Sequence, residues 1–322
     1  MRAIVVRAFG GPEVLTVEEA ATPSAGPGQV LVRVGAAGVN PSDTYIRGGN
    51  YAIKPALPYT PGRDLAGTVE EVGAGVTTFA AGDRIYADGV GETSGGYAEF
   101  AVCDARHVHH LPERVSFAQG AALGVPYGTA WHALVNRGVA RAGETLLVHG
   151  ASGGVGVAVV QLALARGVRV IGTAGSDAGL ALVRAQGAHH AVNHSTPGYE
   201  DEVRTLTGGA GVDLIVEMLA NVNLDRDLDL VARGGRIVVV GNRGRTEIDA
   251  RKIMSREAVV TGVMIFGMSP ADLASAHAGI SAGLKNGTLN PVVGRELPLA
   301  DAPRAHVAVM ESGAQGKIVL VP

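Results

Sequence analysis

Cysteine is nearly absent from this sequence of 322 residues, in which Cys103 is the only one. A single thiol excludes an intrachain disulfide and a zinc site built from four thiolates. No apolar run reaches about 18 residues, so a membrane-spanning helix is not expected. The first six residues, MRAIVV, are typical of a first strand rather than of a signal peptide. We therefore expect a cytoplasmic protein.

Neither sign of charge dominates the sequence, which has 27 Lys and Arg residues against 30 Asp and Glu, a net charge of -3. No run rich in Lys or Arg is present, so neither nucleic acid nor an anionic membrane is implied as a partner. Hydrophobic residues make up 47% and charged residues 18%, as in ordinary globular proteins. A chain of this length usually needs more than one hydrophobic core, which predicts two domains.

Two patterns of sequence divide the chain. Up to about residue 120, short β-like runs such as 29–35 and 66–72 are separated by Gly and Pro, which predicts an antiparallel, partly closed β-domain. From about 120 to 265, apolar runs such as Thr145 to Gly150 alternate with helical segments near 154–166, 177–186 and 223–232. That alternation predicts βαβ units and a doubly wound parallel sheet. We assign the remainder to the first domain, so the predicted domains are 1–124 with 266–322, and 125–265.

The segment HGASGGVG, residues 149–156, follows the first strand of the second domain and opens a helix. Small residues let the backbone approach a pyrophosphate, and the amides of a helix start favour its charge. Ala151 replaces the first glycine of the usual pattern, a position that mainly needs a tight turn. A tight turn without a ligand is the alternative, but the strand–turn–helix context favours a dinucleotide site.

The next strand, residues 168–176, carries no carboxylate at its tip, where NAD-binding enzymes usually place Asp or Glu. The absence removes a charge that would repel a 2'-phosphate, so the sequence favours NADPH over NADH. Ser176 can donate a hydrogen bond to that phosphate, whereas Asp177 is unfavourable. Basic groups would have to come from elsewhere, such as His194 or Arg243.

The chain resembles the ζ-crystallin-type quinone oxidoreductases, which are zinc-free members of the medium-chain dehydrogenase/reductase superfamily. The resemblance rests on segments along the whole length: FGGPEVL at 9–15, GVNPSD at 38–43, YTPGRD at 59–64, GGYAE at 95–99, VPY at 125–127, HGASGGVG at 149–156, MLANVN at 218–223 and GAQGK at 313–317. It implies a dinucleotide-binding (Rossmann) domain and a discontinuous, partly closed β-barrel domain of the GroES-like type.

Comparison with zinc-containing relatives of that superfamily implies loss of the metal. Asn40 stands where those relatives have a cysteine ligand, and Arg63-Asp64 follows Gly62 where they have His-Glu. The region 123–126 has no cysteine, and the four-cysteine structural lobe is absent. Without a Lewis acid an unactivated alcohol is a poor substrate, whereas a quinone or enone accepts hydride readily. The resemblance therefore implies an NADPH:quinone reductase.

Two other functions stay open. The segment that ends at Tyr51 is similar to metal-free 2-enoyl-thioester reductases. The ζ-crystallin type also includes NADPH-binding proteins with RNA-binding or structural roles, although the charge of this chain makes nucleic acid unlikely as a partner.

The candidate catalytic residues are Asn40, Tyr45 and Tyr51. Asn40 can donate to the acceptor oxygen or form an Asn–Pro turn, and Asp43 is the expected cap of the helix that follows. A tyrosine phenol can donate a proton to a reduced acceptor, but packing at a domain edge explains these rings equally well. Lys317 either bonds the cofactor or begins a surface strand.

Cofactor contacts follow from the resemblance and from the ends of the predicted strands. The resemblance also implies that the edge of a strand over 258–265 pairs with its copy in a second subunit, so we expect a homodimer or homotetramer. The candidate cofactor residues are Tyr45; Ser152, Gly153, Gly154 and Val155; Gly175, Ser176 and His194; Asn223; Val240, Gly241, Asn242 and Arg243; Val263, Met264 and Ile265.

Overall fold

Fifteen strands are present in the part of the chain that the computed structural model describes, residues 1–88 and 95–322. They are β1 (Arg2–Val5), β2 (Thr16–Glu19), β3 (Gln29–Val39), β4 (Asp64–Val72), β5 (Arg84–Ala87), β6 (Phe100–Asp104), β7 (Val108–His110), β8 (Thr145–Val148), β9 (Arg169–Ala174), β10 (His190–Asn193), β11 (Val212–Glu217), β12 (Val231–Val239), β13 (Val259–Gly262), β14 (Val293–Pro298) and β15 (Lys317–Val321).

Ten α-helices connect these strands within the described residues, together with short 3₁₀ segments and a π-helical stretch at His132–Arg137. They are α1 (Pro41–Arg47), α2 (Phe117–Gly120), α3 (Gly124–Trp131), α4 (Gly154–Ala165), α5 (Asp177–Ala185), α6 (Tyr199–Leu206), α7 (Ala220–Leu230), α8 (Ala250–Arg256), α9 (Pro270–Asn286) and α10 (Ala302–Ala308).

Contacts divide the chain into two units. The first comprises Met1–Val125, Ser281–Glu311 and Gly316–Pro322, and the second comprises Pro126–Ile280 and Ser312–Gln315. The domain boundaries expected from sequence stay a prediction. The contacts differ from them by grouping residues 266–280 and 312–315 with the second unit and Val125 with the first. In that segment the backbone of Gly279 lies against the ring of Trp131, which belongs to the second unit.

The first unit is built around β3, the longest strand. Its main sheet has the order β14-β15-β3-β4-β5-β7, with β6 also pairing with β3. β3 is antiparallel to β15, β4 and β6, and its register with β4 shifts at two places, which bends the sheet. β14 was not predicted, and it pairs parallel with β15. The predicted β-rich domain thus includes the C-terminal strand.

The second unit contains the predicted doubly wound sheet. Six parallel strands lie in the order β10-β9-β8-β11-β12-β13. From β8, successive strands are added first on one side, as β9 and β10, and then on the other, as β11 to β13. Leu147, Ile171 and Ile215 are fully buried, as expected of strands covered on both faces. The helix predicted over 223–232 ends earlier, at Leu230, because Val231 pairs with Val212 and begins β12.

None of the helices in the described residues is long and apolar enough to cross a membrane.

The buried strand β8 provides a test of this packing. Leu147→Ala should lower the free energy of unfolding by about 2–5 kcal/mol, because it leaves a cavity in the centre of the sheet. Denaturant unfolding measures the change. The matched control is Val222→Ala on the exposed face of α7, which should alter stability by no more than about 0.5 kcal/mol. Equal effects of the two substitutions would contradict the assigned core.

Candidate functional site

The predicted phosphate loop forms the turn between β8 and α4. β8 ends at Val148 and α4 begins at Gly154. Gly150 has a φ of 56°, in the left-handed region that glycine adopts without strain. The first amides of α4 have no carbonyl partner within the helix, so they favour an anionic group placed before them.

Gly156 allows the loop and the helix to pack closely. A β-carbon added there would lie 2.6 Å from the Cα of Ala151 and would collide with the carbonyl oxygen of Gly150. Ala151 is itself fully buried, and its amide donates to the carbonyl oxygen of Thr173 on β9 at 2.8 Å. The methyl group of Ala151 is accommodated beside Gly172 of β9, so alanine fits at this position of the loop.

The tip of β9 holds small and neutral groups. Gly175 and Ser176 follow the last residue of the strand, and the Oγ of Ser176 accepts from the amide of Gly179 at 3.2 Å, capping α5. Nδ1 of His194 lies 3.1 Å from the Oγ1 of Thr173, and the imidazole stands beside Gly175. Burial, together with the charge of His149, lowers the pKa of His194, which keeps this imidazole neutral near pH 7.

The other candidate cofactor residues of the second unit lie along the same edge of the sheet. Each group follows the carboxyl end of a strand, the edge at which doubly wound sheets bind ligands. These groups are Ser152, Gly153, Gly154 and Val155 after β8; Gly175 and Ser176 after β9; His194 after β10; Asn223 after β11; Val240, Gly241, Asn242 and Arg243 after β12; and Val263, Met264 and Ile265 after β13.

Several of these residues already have partners. Nδ2 of Asn223 donates to Glu217 at 3.1 Å, the amide of Val263 donates to the carbonyl oxygen of Val239 at 3.0 Å, and Nδ2 of Asn242 donates to the carbonyl oxygen of Gly244 at 2.7 Å. The predicted strand over 258–265 is shorter than expected, since β13 ends at Gly262 and a 3₁₀ turn begins at Ile265.

A buried charge cluster, formed by His149, Glu217 and Asp227, lies at the base of the phosphate loop. Nε2 of His149 is 2.8 Å from Oδ1 of Asp227 and 3.4 Å from Oε2 of Glu217. The other oxygen of Glu217 accepts from the amide of Leu219 and from Asn223. Glu217 and Asp227 are fully buried, so the cluster holds three titratable groups away from water.

Burial alone would lower the pKa of His149, but the carboxylates of Asp227 and Glu217 outweigh it and raise the pKa to about 9. Burial also raises the pKa of Glu217 to about 7, an effect that Asp227 increases and His149 opposes. The imidazolium is therefore the stable form of His149 at neutral pH, paired with at least one carboxylate.

A second buried cluster, in the first unit, is formed by Asn40, Asp64 and Lys317. Oδ2 of Asp64 accepts from Nζ of Lys317 and from Nδ2 of Asn40, both at 2.9 Å. Nζ of Lys317 also donates to Oδ1 of Asn40 at 2.5 Å. The second oxygen of Asp64 accepts from the amide of Val125 at 2.7 Å. Asp64 is 0% exposed and Lys317 only 4%, so the ion pair is fully enclosed.

Asp43 continues this polar interior. Its carboxylate accepts from the amide of Asn40 at 2.8 Å, so it caps α1 as expected. The hydroxyl of Tyr97 donates to the same carboxylate at 3.4 Å and contacts Nε2 of His306 at 3.1 Å. Burial raises the pKa of Asp43 to about 6. Burial and the charge of Arg47 lower the pKa of His306 to about 3, so that imidazole is neutral.

A cleft in the first unit is lined by Asp43 and Arg63, among other residues. Tyr45 and Tyr51 stack, with ring centroids 6.1 Å apart and an interplanar angle of 24°. Burial raises the pKa of Tyr51, so its phenol keeps its proton at neutral pH. The three candidate catalytic residues all lie within residues 40–51, but their surroundings differ. Asn40 is buried beside Asp64, whereas Tyr45 and Tyr51 are partly exposed.

The side chains around Asn40 do not suit zinc, which takes thiolate, imidazole or carboxylate ligands in protein sites. The amide oxygen of Asn40 faces the ammonium of Lys317, a positive charge that repels a metal cation. Cys103 is buried on β6, where burial raises the pKa of its thiol to about 12. Asn40, Asp64 and Lys317 instead form a hydrogen-bonded cluster in which the charges of the lysine and the aspartate cancel.

Sequence reasoning missed part of both clusters. The interpretation of Lys317 as the start of a surface strand was wrong, because its side chain enters the interior to meet a carboxylate. Glu217, Asp227, Tyr97 and His306 were not singled out. A charged residue within an apolar strand run, as Glu217 is in VDLIVE, is the one local signal that could have indicated a buried polar site.

Two family models match the chain: "Alcohol dehydrogenase GroES-like domain" over residues 26–113, and "Zinc-binding dehydrogenase" over residues 154–281. The first match confirms the predicted GroES-like domain. The quinone oxidoreductase of Rattus norvegicus is 49% identical over 323 residues, which cover 100% of this chain and 98% of that protein.

Solved structures agree over the full length. A structure described as an NAD-dependent alcohol dehydrogenase superimposes with a TM-score of 0.93 at 34% identity, and covers 100% of both chains. The Escherichia coli quinone oxidoreductase complexed with NADPH superimposes with a TM-score of 0.89 at 29% identity, also over 100% of both chains.

The cluster beneath the phosphate loop should make stability depend on pH. The unfolded chain releases the proton of His149 near pH 6.5 and the folded chain near 9, so the folded state binds more protons between these values. The free energy of unfolding should therefore fall by roughly 1–3 kcal/mol as pH rises from about 6.5 to 9. The raised pKa of Glu217 gives the same sign at lower pH.

Urea unfolding at a series of pH values measures this slope. The double variant Glu217→Gln/Asp227→Asn removes both carboxylates while keeping their shapes, so burial alone acts on His149 and the slope should shrink. An unchanged slope in that variant would show that the cluster does not cause the pH dependence.

Proposed function

Because the chain belongs to the quinone oxidoreductases of the medium-chain dehydrogenase/reductase superfamily, we propose that it reduces a quinone, or a related enone, with a hydride from NADPH and without zinc. The observation that carries the proposal is the full-length similarity to quinone oxidoreductases. The geometry of the dinucleotide edge and of the Asn40 cluster supports it.

The second unit fits NADPH. The amides at the start of α4, in the segment Ser152 to Val155, favour a pyrophosphate, and Gly156 lets the helix pack closely against Gly150 and Ala151. Beyond β9, the imidazole of His194 lies against Gly175, and neutral Ser176 and His194 stand where a carboxylate would repel a 2'-phosphate. When bound, NADPH supplies the hydride.

The remaining candidate residues fit the same cofactor by position. The backbone of Val240 to Arg243 would border the adenosine half with Asn223, and Val263 to Ile265 would offer backbone groups to the nicotinamide carboxamide. By the family resemblance, Tyr45 would touch the cofactor near its nicotinamide end.

The first unit supplies hydrogen bonds to the acceptor. A quinone that accepts hydride becomes a hydroquinone anion, whose oxygen must receive a hydrogen bond or a proton. Asn40 offers an amide N–H, and Tyr51 offers a phenol that stays protonated at neutral pH. Tyr45 packs on Tyr51 and restricts its ring. Asp43, with its pKa raised to about 6, lies behind Asn40 as a nearby proton-binding group.

We also propose a cytoplasmic homodimer or homotetramer. β13 is an edge strand of the six-stranded sheet, and Val259 and Met264 beside its free edge are 53% and 45% exposed. An edge with exposed apolar residues suits pairing with a second copy.

The direct test compares acceptors. Oxidation of NADPH with 1,2-naphthoquinone should be fast and unaffected by a chelator, and slower with NADH, while crotonyl-thioester should not be reduced. A spectrophotometric assay at 340 nm wavelength measures all of these rates. Turnover of the thioester alone would show that the protein is an enoyl-thioester reductase instead. Tight NADPH binding without turnover of either acceptor would favour a non-enzymatic role.

Ser176 provides a test of the cofactor choice. Ser176→Asp keeps a good cap for α5 but adds a negative charge beside the 2'-phosphate, so NADPH affinity should fall about 10- to 100-fold relative to NADH. Titration of protein fluorescence gives both dissociation constants. Ser176→Asn is the matched control, because it caps the helix without a charge and should change the NADPH/NADH ratio little. Loss of NADPH binding in both variants would instead point to damage of α5.

A further inference from the structure

The buried ammonium of Lys317 acts directly on Asn40, the residue that stands in the position of a zinc ligand. Nζ donates to the Oδ1 of Asn40 and to Asp64, while the Nδ2 of Asn40 donates to the same carboxylate. The amide is thus fixed by contacts at both of its ends. Its orientation is determined, since the oxygen must face the cation and the nitrogen the anion.

The path of the Lys317 side chain is built into the backbone. Gly38 of β3 pairs with Val319 of β15, and a β-carbon at Gly38 would lie 2.8 Å from Cε of Lys317 and 3.0 Å from Cβ of Asp64. The same β-carbon would collide with the carbonyl oxygen of Ala121, so the backbone requires glycine at the point where the lysine passes to the carboxylate. Asp64 is held in place independently by the amide of Val125.

A side-chain amide of asparagine has two N–H groups. One hydrogen of Asn40 Nδ2 goes to Asp64, and the second has no acceptor among residues 1–88 and 95–322. A positive charge at the amide oxygen withdraws electrons from the nitrogen and strengthens its remaining N–H as a donor. In a buried site this effect is not screened by water.

We propose that Lys317 is a positioning residue for quinone reduction: it orients and polarises the amide of Asn40, so that the second Nδ2–H donates to the acceptor oxygen as negative charge develops there. The proposal rests on the function proposed above. Asp64 neutralises the ammonium and fixes the other side of the amide, so the two charges act together. A fixed cation behind a neutral donor thereby provides electrostatic stabilisation in a site that does not suit a metal.

The test removes the charges without leaving one of them unpaired, because a lone buried carboxylate would destabilise the protein. The double variant Lys317→Met/Asp64→Asn keeps the side-chain volumes close to the originals. Its kcat with 1,2-naphthoquinone should fall about ten-fold, less than the loss expected when a donor is deleted outright. The dissociation constant of NADPH should stay within about two-fold, since the phosphate loop is unaltered.

Lys252→Met serves as the control, since Lys252 is likewise ion-paired, with Asp225 and Asp229, but lies on α8. It should leave kcat unchanged. Circular dichroism of each variant verifies folding at the assay temperature. A folded double variant with the kcat of the wild type would overturn the proposal.

A spectroscopic measurement tests, independently of turnover, whether Lys317 and Asp64 polarise the amide of Asn40. In asparagine-labelled protein, the side-chain ¹⁵N resonance of Asn40, identified by its loss in Asn40→Ala, should lie downfield of the other asparagines and move upfield in the double variant. The same shift in both proteins would overturn the proposal even if the wild type reduces quinones. A wild type that shows the shift but reduces no quinone would support the positioning and reject the proposed acceptor instead.

Discussion

The carboxylate of Asp64 is the interaction on which the polar interior of the first unit depends. It accepts three hydrogen bonds, from Lys317, Asn40 and Val125, and so ties β15, the start of α1 and the first turn of α3 to β4. A buried carboxylate without such partners would cost several kcal/mol. Each partner comes from a different segment. The carboxylate of Asp64 therefore holds these segments together and also fixes the position of Asn40.

The phosphate-loop turn and the sheet of the second unit were largely predictable because their signals are local, whereas the individual cofactor contacts stay predictions. The turn HGASGGVG and the uncharged end of β9 each lie within one strand–loop–helix segment. The residue types of each segment are therefore sufficient to predict its conformation. The order of the strands also follows from the alternation of apolar runs and helices. Boundaries were less accurate, as at Val231, where pairing with Val212 extends a strand into a segment that reads as helix.

The two buried clusters were not predictable in the same way. Lys317 lies 253 residues from Asp64, and His149 lies 78 residues from Asp227, so no local pattern relates them. A lysine at the start of a strand is usually solvated, whereas this one passes inward beside Gly38. Each cluster appears only when the complete tertiary structure brings opposite charges together.

The discontinuity of the first unit bears on the order in which the protein forms during synthesis. The second unit needs little beyond one continuous stretch, Pro126–Ile280, and its six strands can pair before the C-terminus is made. In the first unit, β3 leaves the ribosome early but lacks its neighbour β15, which is the last strand of the chain. Until that strand arrives, Asp64 has no ammonium partner. The nascent chain can therefore acquire a nucleotide-binding half while its other half is still an open sheet, and one edge of β3 stays uncovered until residues 317–321 have been made.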